Sequence, residues 1–198
     1  MPIHCHCNLP NGAFGPDPYH SLSCQKELSH TIQDRHDNLK LTVSRWCTQL
    51  GARVKVEPRN LDRDGEIRPD LFVQMGGKTY LIDVTVPNPL APSHQAAAAR
   101  RPRAVLEQAE TRKHNTYDAL AAQHGAVLVP FAVETTGGFG SEALAFIKEL
   151  IATAARYQTV WTPHQVIQGL YRSVAVSVAR GNAAVFRSSI GASVLRGL

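Results

Sequence analysis

Two aspartates, Asp70 and Asp83, stand in short apolar segments that are rich in β-branched residues. The sequence between them, Met75-Gly76-Gly77, is typical of a hairpin turn. A carboxylate inside so apolar a strand is costly unless a cation or hydrogen bonds compensate its charge. Carboxylates on two paired strands can share a hard cation such as Mg²⁺. Each aspartate alone is better explained by a turn cap or a solvated strand face, so the prediction of a metal site depends on the pair.

A second group of chemically useful residues lies on a predicted helix. Glu110, Lys113 and Tyr117 are three and four residues apart, so they share one helical face. A lysine on that face can reach towards Asp70 and Asp83. The alternative is a Glu110–Lys113 surface pair, which stabilises a helix by only about 0.2–0.5 kcal/mol.

Four cysteines are present, and three of them lie near the start of the chain. Cys5, Cys7 and Cys24 with one histidine can supply three thiolates and an imidazole to tetrahedral Zn²⁺. The segment from Asn8 to Pro18 is rich in Gly and Pro and cannot build a core, so a metal is its expected organiser in a reducing compartment. The alternative is a Cys/His-rich end without a site, and Cys47 is expected to be a core thiol. The histidines that can complete the site are His4, His6, His20, His30 and His36.

Composition limits the classes of protein to consider. The chain has 198 residues, 43% of them hydrophobic, which suffices for one catalytic-sized domain with a small appendage. Its net charge of +5 suits a polyanionic partner such as DNA. The sequence contains no apolar run of about 18 residues, so no membrane span is predicted. We also expect no secretory signal. Arg100, Arg101 and Arg103 form a basic cluster for phosphate or nuclear import, or equally a solvated loop.

Hydrophobic periodicity predicts alternating strands and helices, hence a mixed α/β sandwich. An apolar stripe from Leu28 to Leu50 predicts one or two helices that end at Gly51. Strict alternation over Arg53–Val56 predicts a strand with Val54 and Val56 inward. The other predicted elements are the two aspartate strands, a helical segment from Ala96 to Ala122 divided by Pro102, a buried strand from Ala126 to Val133, and helices from Ser141 to Tyr157 and from Pro163 to Ala179.

Short motifs follow one another along nearly the whole chain. They are the Cys/His segment, Arg35-His36, Glu57-Pro58, Arg68-Pro69-Asp70, Ile82-Asp83-Val84-Thr85-Val86, Glu110/Lys113/Tyr117, Pro130-Phe131-Ala132-Val133-Glu134, Gly137-Gly138-Phe139-Gly140 and Arg180-Gly181-Asn182. Their order resembles the restriction-like endonuclease domain of site-specific non-LTR retrotransposon polyproteins, which belongs to the PD-(D/E)xK superfamily. The glycine motif otherwise predicts a strand-to-helix turn with positive φ, and the last motif a glycine-capped helix end.

The resemblance implies a fold and a domain division. It implies an α/β, restriction-endonuclease-like mixed central sheet flanked by helices over residues 31–198. A small CCHC zinc knuckle over residues 1–30 would precede this domain, and the family pattern favours His20 as the ligand that joins Cys5, Cys7 and Cys24. No Tyr-x-Asp-Asp motif occurs, so the polymerase of those polyproteins is not expected in this chain.

The resemblance also implies roles for individual residues. Asp70, Asp83 and the backbone carbonyl of Val84 would hold one or two Mg²⁺ (or Mn²⁺) ions. The superfamily lysine stands two residues after the second acid, where this chain has the uncharged Thr85. The resembled domains carry instead a displaced lysine on the next helix, here Lys113, with a tyrosine one turn later, here Tyr117.

Glu57 and the charged segment from Arg35 to Asp37 have more than one interpretation. Glu57 would complete the metal shell, or it is a solvated residue beside Pro58. Arg35, His36 and Asp37 would contact DNA or the metal from the first helix, and a core imidazole is the preferred interpretation of His36 because it lies on the apolar stripe.

Three functions are compatible with these sequence features. The first is a metal-dependent DNA endonuclease of the nucleus that nicks a strand, as the resembled elements do to expose a 3′-hydroxyl for target-primed reverse transcription. The second is a nucleic-acid-binding module whose active site has decayed, which Thr85 favours. The third is a zinc-organised interaction domain without a nucleic-acid role. A dimer, or two visits, would be required for one active site to cut both DNA strands.

Overall fold

The computed structural model describes residues 19–59, 61–62, 67–156 and 161–194. Within these ranges a 3-10 helix is followed by five α-helices and four strands. Their bounds are His20–Ser23 for the 3-10 helix, Gln25–Gln49 (α1), Arg53–Val56 (β1), Leu71–Met75 (β2), Lys78–Thr85 (β3), Pro92–Arg100 (α2), Ala104–Gln123 (α3), Val127–Ala132 (β4), Ser141–Arg156 (α4) and Pro163–Val194 (α5). None of the helices in these ranges is both long and apolar enough to cross a lipid bilayer.

The four strands form one mixed sheet in the order β1-β2-β3-β4. The first three strands pair antiparallel, and β4 pairs parallel to β3 after a crossover that contains α2 and α3. Gly76 and Gly77 have φ of +57° and +78°, so they make the tight turn between β2 and β3 that an L side chain would strain. The α/β class and the predicted hairpin are confirmed.

Alternation along β3 divides the interior into two layers. Tyr80, Ile82 and Val84 pack on one face against α1, α4 and α5, which form the main core. Leu81 packs on the other face against Tyr117 and its neighbours on α3. Because Asp83 has the same parity as Leu81, its side chain belongs to the α3 face of the sheet.

Two predictions about elements are wrong, each for a tertiary reason. Val56 is 43% exposed rather than inward, because β1 is an edge strand. Helix α5 does not end at Ala179 but runs through Arg180-Gly181-Asn182. A Cβ on Gly181 would lie 2.3 Å from Arg35 Cγ, so the glycine allows α1 and α5 to approach closely instead of capping a helix.

The predicted interruption of the alanine-rich helix is confirmed. Helix α2 ends at Arg100 and α3 begins at Ala104, and Arg103 between them has φ of +67°. The turn before α4 contains Gly137 with φ of +94°, as the glycine motif predicts. These turns place α3 across the β3–β4 half of the sheet.

Candidate active site

Asp70 and Asp83 lie at the open end of the β2–β3 hairpin, away from the Gly76-Gly77 turn. This open end is called the hairpin end below. Leu71 pairs with Ile82, and this register continued by one residue places Asp70 opposite Asp83. The backbone N–H of Glu57 donates to the carbonyl of Asp70 at 2.7 Å, so β1 reaches the same end. The two acids interact electrostatically, since the charge of Asp70 adds to burial in raising the pKa of Asp83.

Asp83 is a buried carboxylate with a lysine partner from another element. Its residue is only 3% exposed, and Lys113 Nζ lies 2.5 Å from its Oδ2. Burial raises the pKa of Asp83 even though the Lys113 charge acts in the opposite direction. Lys113 therefore reaches the buried carboxylate from α3, which covers the same face of the sheet.

Tyr117 lies one helical turn after this lysine and contacts the same carboxylate. Its hydroxyl donates to the carbonyl oxygen of Arg68 at 3.3 Å and lies near enough to the Asp83 carboxylate for that charge to affect its pKa. Burial and the Asp83 carboxylate raise the pKa of Tyr117 above its usual range. The Lys113 ammonium lies 5.9 Å from the centroid of the Tyr117 ring. The phenol thus remains protonated and fixes the orientation of both neighbours.

Asp70 has different partners, which belong to the backbone of β3 and to two side chains of α1. Its Oδ2 accepts the backbone N–H of Val84 at 2.7 Å and lies 3.1 Å from His36 Nε2. Lys40 Nζ lies 3.9 Å from its Oδ1. The ammonium beside Asp70 is therefore that of Lys40, whereas Lys113 pairs with Asp83.

His36 bridges several polar groups of the site and is not a core imidazole. Its Nε2 is 3.0 Å from the carbonyl oxygen of Val84, and its Nδ1 is 3.1 Å from Asp37 Oδ1. Burial opposes protonation of the ring, but hydrogen bonds and charges of Asp70 and Asp37 outweigh it and raise the pKa of His36 to about 9. At neutral pH the imidazolium can donate from both nitrogens.

Lys40 is a site residue that the sequence patterns did not single out. Its side chain is 5% exposed, and its ammonium is 2.8 Å from Asp37 Oδ1 and 2.5 Å from Glu57 Oε1. Burial lowers the pKa of Lys40, but the surrounding carboxylates reverse this and raise it overall. The available signal was its position four residues after His36, on the same face of α1.

Glu57 faces cations rather than the other carboxylates. It pairs with Lys40, and its Oε2 lies 3.3 Å from Arg68 Nη2. Its backbone φ of +46° turns the chain sharply after β1, and 41% of its side chain is exposed. In this arrangement Glu57 neutralises basic residues at the rim of the site.

Glu110 does not form a surface pair with Lys113, which was the alternative prediction for these two residues. It is 5% exposed and accepts hydrogen bonds from Ser141 Oγ at 3.0 Å and from the backbone N–H of Glu142 at 3.1 Å. A carboxylate at the amino terminus of α4 is favoured by the free N–H groups and the helix dipole. This anchor fixes the rotation of α3, and Lys113 is consequently directed at Asp83.

Arg35 contributes to packing rather than to the acidic site. Its guanidinium donates from Nη1 to Asn182 Oδ1 and from Nη2 to the carbonyl of Leu22, both at 3.1 Å. Burial lowers the pKa of Arg35 to about 10. The two residues of the Arg35-His36 motif therefore face different parts of the molecule. Arg35 faces α5, whereas His36 faces Asp70.

The basic cluster near α3 also has structural partners. Arg101 forms a two-pronged ion pair with Glu107. Arg103 donates from Nη2 to the carbonyl of Phe139 at 3.2 Å. Arg100 ends α2 and, like Arg101 and Arg103, is exposed.

Most of the zinc ligands predicted from sequence lie outside the described residues. This applies to Cys5, Cys7 and the side chain of His20. Cys24 is described, and it is the residue before α1, buried with Leu22 and Val185. Cys47 is a core thiol as predicted, and burial raises its pKa to about 12.

The oxygen atoms at the hairpin end suit a hard cation. In the described part of the chain no three His, Cys, Asp or Glu side chains cluster closely enough to hold a metal. Mg²⁺, however, is commonly held by one or two carboxylates together with water and substrate oxygens. Asp70 Oδ2 and the Val84 carbonyl oxygen lie 3.1 and 3.0 Å from His36 Nε2, and the strand register places the backbone of Asp83 opposite Asp70. These oxygens fit Mg²⁺ or Mn²⁺ if the His36 side chain moves aside.

Comparison with known proteins identifies no relative of this chain. No protein-family model matches the sequence, and no curated protein matches it. What the chain does must therefore be inferred from the residues at the hairpin end and from their charges.

Proposed function

We propose that the protein is a metal-dependent DNA endonuclease of the PD-(D/E)xK type, built on a restriction-endonuclease-like fold, that nicks a strand by hydrolysing a phosphodiester bond. The observation that supports this most is the 2.5 Å contact between Lys113 and the buried Asp83. Thr85, two residues after Asp83, carries no charge, and Lys113 supplies from α3 the positive charge that such chemistry requires.

Each residue of the hairpin end has a role in this proposal. Asp70, Asp83 and the Val84 carbonyl would hold Mg²⁺ or Mn²⁺, and such a cation would supply Lewis-acid activation of water and of the scissile phosphate. Lys113 binds a phosphate oxygen and neutralises the charge that develops on it. Tyr117 holds the Asp83 carboxylate in place. His36 neutralises Asp70 while no cation is bound.

The rest of the chain has supporting roles. Residues 1–30 would hold a structural Zn²⁺ through Cys5, Cys7, His20 and Cys24. The enzyme works in the nucleus, and a dimer would allow it to cut both strands.

A binding module with a decayed active site is the second candidate. Two observations favour it: Thr85 is uncharged, and the cations of His36 and Lys40 already compensate Asp70. The net charge of +5 would then serve weak, salt-sensitive DNA binding without cleavage.

Nicking of supercoiled plasmid DNA separates the two candidates. We expect wild-type protein to produce the relaxed form with Mg²⁺ or Mn²⁺, and neither Asp70→Ala nor Asp83→Ala to do so. His164→Ala is the control, because His164 is exposed on α5 and should nick normally. If the aspartate variants nick as fast as wild type, the endonuclease proposal fails. If every variant binds DNA in chelator and none nicks, the binding module replaces it.

A further inference from the structure

A polar groove runs between α1 and α5, on the side of α1 that faces away from Asp70 and Asp83. Its volume is about 380 Å³, and both helices line it. Three arginines lie along it: Arg35 is buried beneath it, and Arg45 and Arg180 are exposed. Asp34 is the one acid among the described residues that line it, and its carboxylate lies 3.5 Å from the ring of the exposed His30.

Arg35 is a buried charge without a counter-ion. It is 3% exposed, its two hydrogen-bond acceptors are the neutral Asn182 side chain and Leu22 carbonyl, and no carboxylate in the described residues pairs with it. Its Nε has no hydrogen-bond partner there. A buried guanidinium that lacks an opposite charge costs stability, so an anion bound close to it in the groove would be favoured.

Further groups in the groove also lack partners. The hydroxyl of Ser177 is buried without a hydrogen bond in the described part of the molecule. Neither Arg45 nor Arg180 forms an ion pair with a described residue. This contrasts with the basic cluster near α3, where Arg101 is paired with Glu107 and Arg103 donates to a backbone carbonyl. Among its described lining residues the groove therefore has three arginines and a single acid.

We propose that this groove binds the phosphodiester backbone of a nucleic acid, as a contact separate from the Asp70/Asp83 site. Arg45 and Arg180 would contact phosphate oxygens, since guanidinium groups match phosphate geometry. Arg35 would act from beneath as a fixed positive charge that the bound phosphate compensates. The inference rests on the proposed nucleic-acid substrate, but it does not depend on cleavage.

The geometry explains how one helix serves both contacts. Arg35 and His36 are consecutive in α1, yet Arg35 faces α5 and His36 faces Asp70. A strand held in the groove therefore lies on the opposite side of α1 from the acids. Such a contact would position the nucleic acid without reading its sequence, because phosphate contacts carry no direct sequence information.

The test is DNA binding by fluorescence anisotropy of a labelled duplex, in chelator and over a series of salt concentrations. The groove variant is Arg45→Gln/Arg180→Gln. The matched control is Arg172→Gln/Arg187→Gln, which removes the same charge from exposed α5 positions that do not line the groove. We expect the groove variant to bind about tenfold more weakly, with a salt dependence reduced by one to two phosphate contacts, each worth about 0.9 in the log–log slope. The control should stay within about twofold of wild type.

Several results would overturn the inference. Equal weakening of DNA binding in both double variants would indicate an effect of net charge alone. Wild-type affinity in the groove variant would show that the groove arginines do not contact DNA. Wild-type protein that does not bind DNA at all would also contradict the inference. Inorganic phosphate is a further probe. If it raises the Tm of wild type but not of the groove variant, while both bind DNA equally, the groove is a free-phosphate site and the inference is wrong.

The same preparations distinguish this inference from the proposed function. Wild-type protein that binds DNA through the groove but does not nick plasmid supports the inference and removes the endonuclease. Wild-type protein that nicks, with a groove variant that binds normally, supports the endonuclease and removes the inference.

Discussion

The ammonium of Lys113 on α3 lies 2.5 Å from the carboxylate of Asp83 on β3, although the two residues belong to elements on different layers of the fold. The side chain of Asp83 is only 5% exposed and that of Lys113 is 28% exposed. This pair places a positive charge at the hairpin end that the strand itself does not supply.

Lys113→Met should slow nicking by about two orders of magnitude, because removing one preorganised group that stabilises transition-state charge typically costs this much. Lys148→Met is the matched control, since Lys148 is an exposed lysine of α4 and should leave the rate unchanged. The rates are measured on supercoiled plasmid with Mg²⁺. Equal losses in the two variants would mean that Lys113 has no special role.

A lysine moved back to the strand should restore part of this activity. Thr85 follows Asp83 by two residues and so lies on the same face of β3. We therefore expect Lys113→Met/Thr85→Lys to nick faster than Lys113→Met alone. A double variant that is no faster would show that the position of the charge on α3, and not the charge itself, is what the site requires.

Asp83→Asn should abolish nicking and yet raise the Tm at neutral pH. The folded-state pKa of Asp83 is raised above its ordinary value of 3.8, chiefly by burial, so its ionised form destabilises the fold. That cost is largest above the raised pKa and disappears as the pH falls through it towards 3.8. The Tm difference between variant and wild type should accordingly shrink in melts that step down from neutral to acidic pH. A variant that melts below wild type at neutral pH would contradict the assignment of Asp83 as a strained carboxylate.

His36 should remain protonated at neutral pH. Its pKa of about 9 lies above the ordinary 6.5, so the stability it contributes is complete below 6.5 and is lost as the pH rises through about 9. NMR titration of the imidazole should give a midpoint near 9 in wild type, and Asp70→Asn should move it towards 6.5. A wild-type midpoint near 6.5 would rule out the bridge between His36 and Asp70.

The hairpin and the face of Asp83 were predictable because they depend on local rules. Alternation fixes which side chains share a face of β3, and the Gly76-Gly77 pair fixes the turn. Helical periodicity likewise placed Lys113 and Tyr117 on one face of α3. The bridging positions of His36 and Lys40 depend instead on how α1 crosses the sheet edge, which no local pattern encodes.

Other features were missed because their causes are distant in sequence. Glu110 is buried because its carboxylate meets the amino terminus of α4. Gly181 has the local signature of a helix cap, but the Arg35 side chain packed against it explains why it is glycine. Val56 is exposed because β1 lies at the edge of the sheet that the described strands form. In each case a tertiary contact overrode the local pattern.

The central claim is that Asp70 and Asp83 together hold one divalent cation. Calorimetric titration with Mn²⁺, after saturation with Zn²⁺ to occupy any cysteine site, measures this directly. Asp118→Asn is the control, because Asp118 is an exposed acid of α3 that pairs with His114. The account predicts Mn²⁺ binding by wild type and Asp118→Asn, and binding at least about tenfold weaker in Asp70→Asn and in Asp83→Asn, as expected when a hard cation loses a carboxylate ligand. Mn²⁺ affinity that is the same in all four proteins would contradict it.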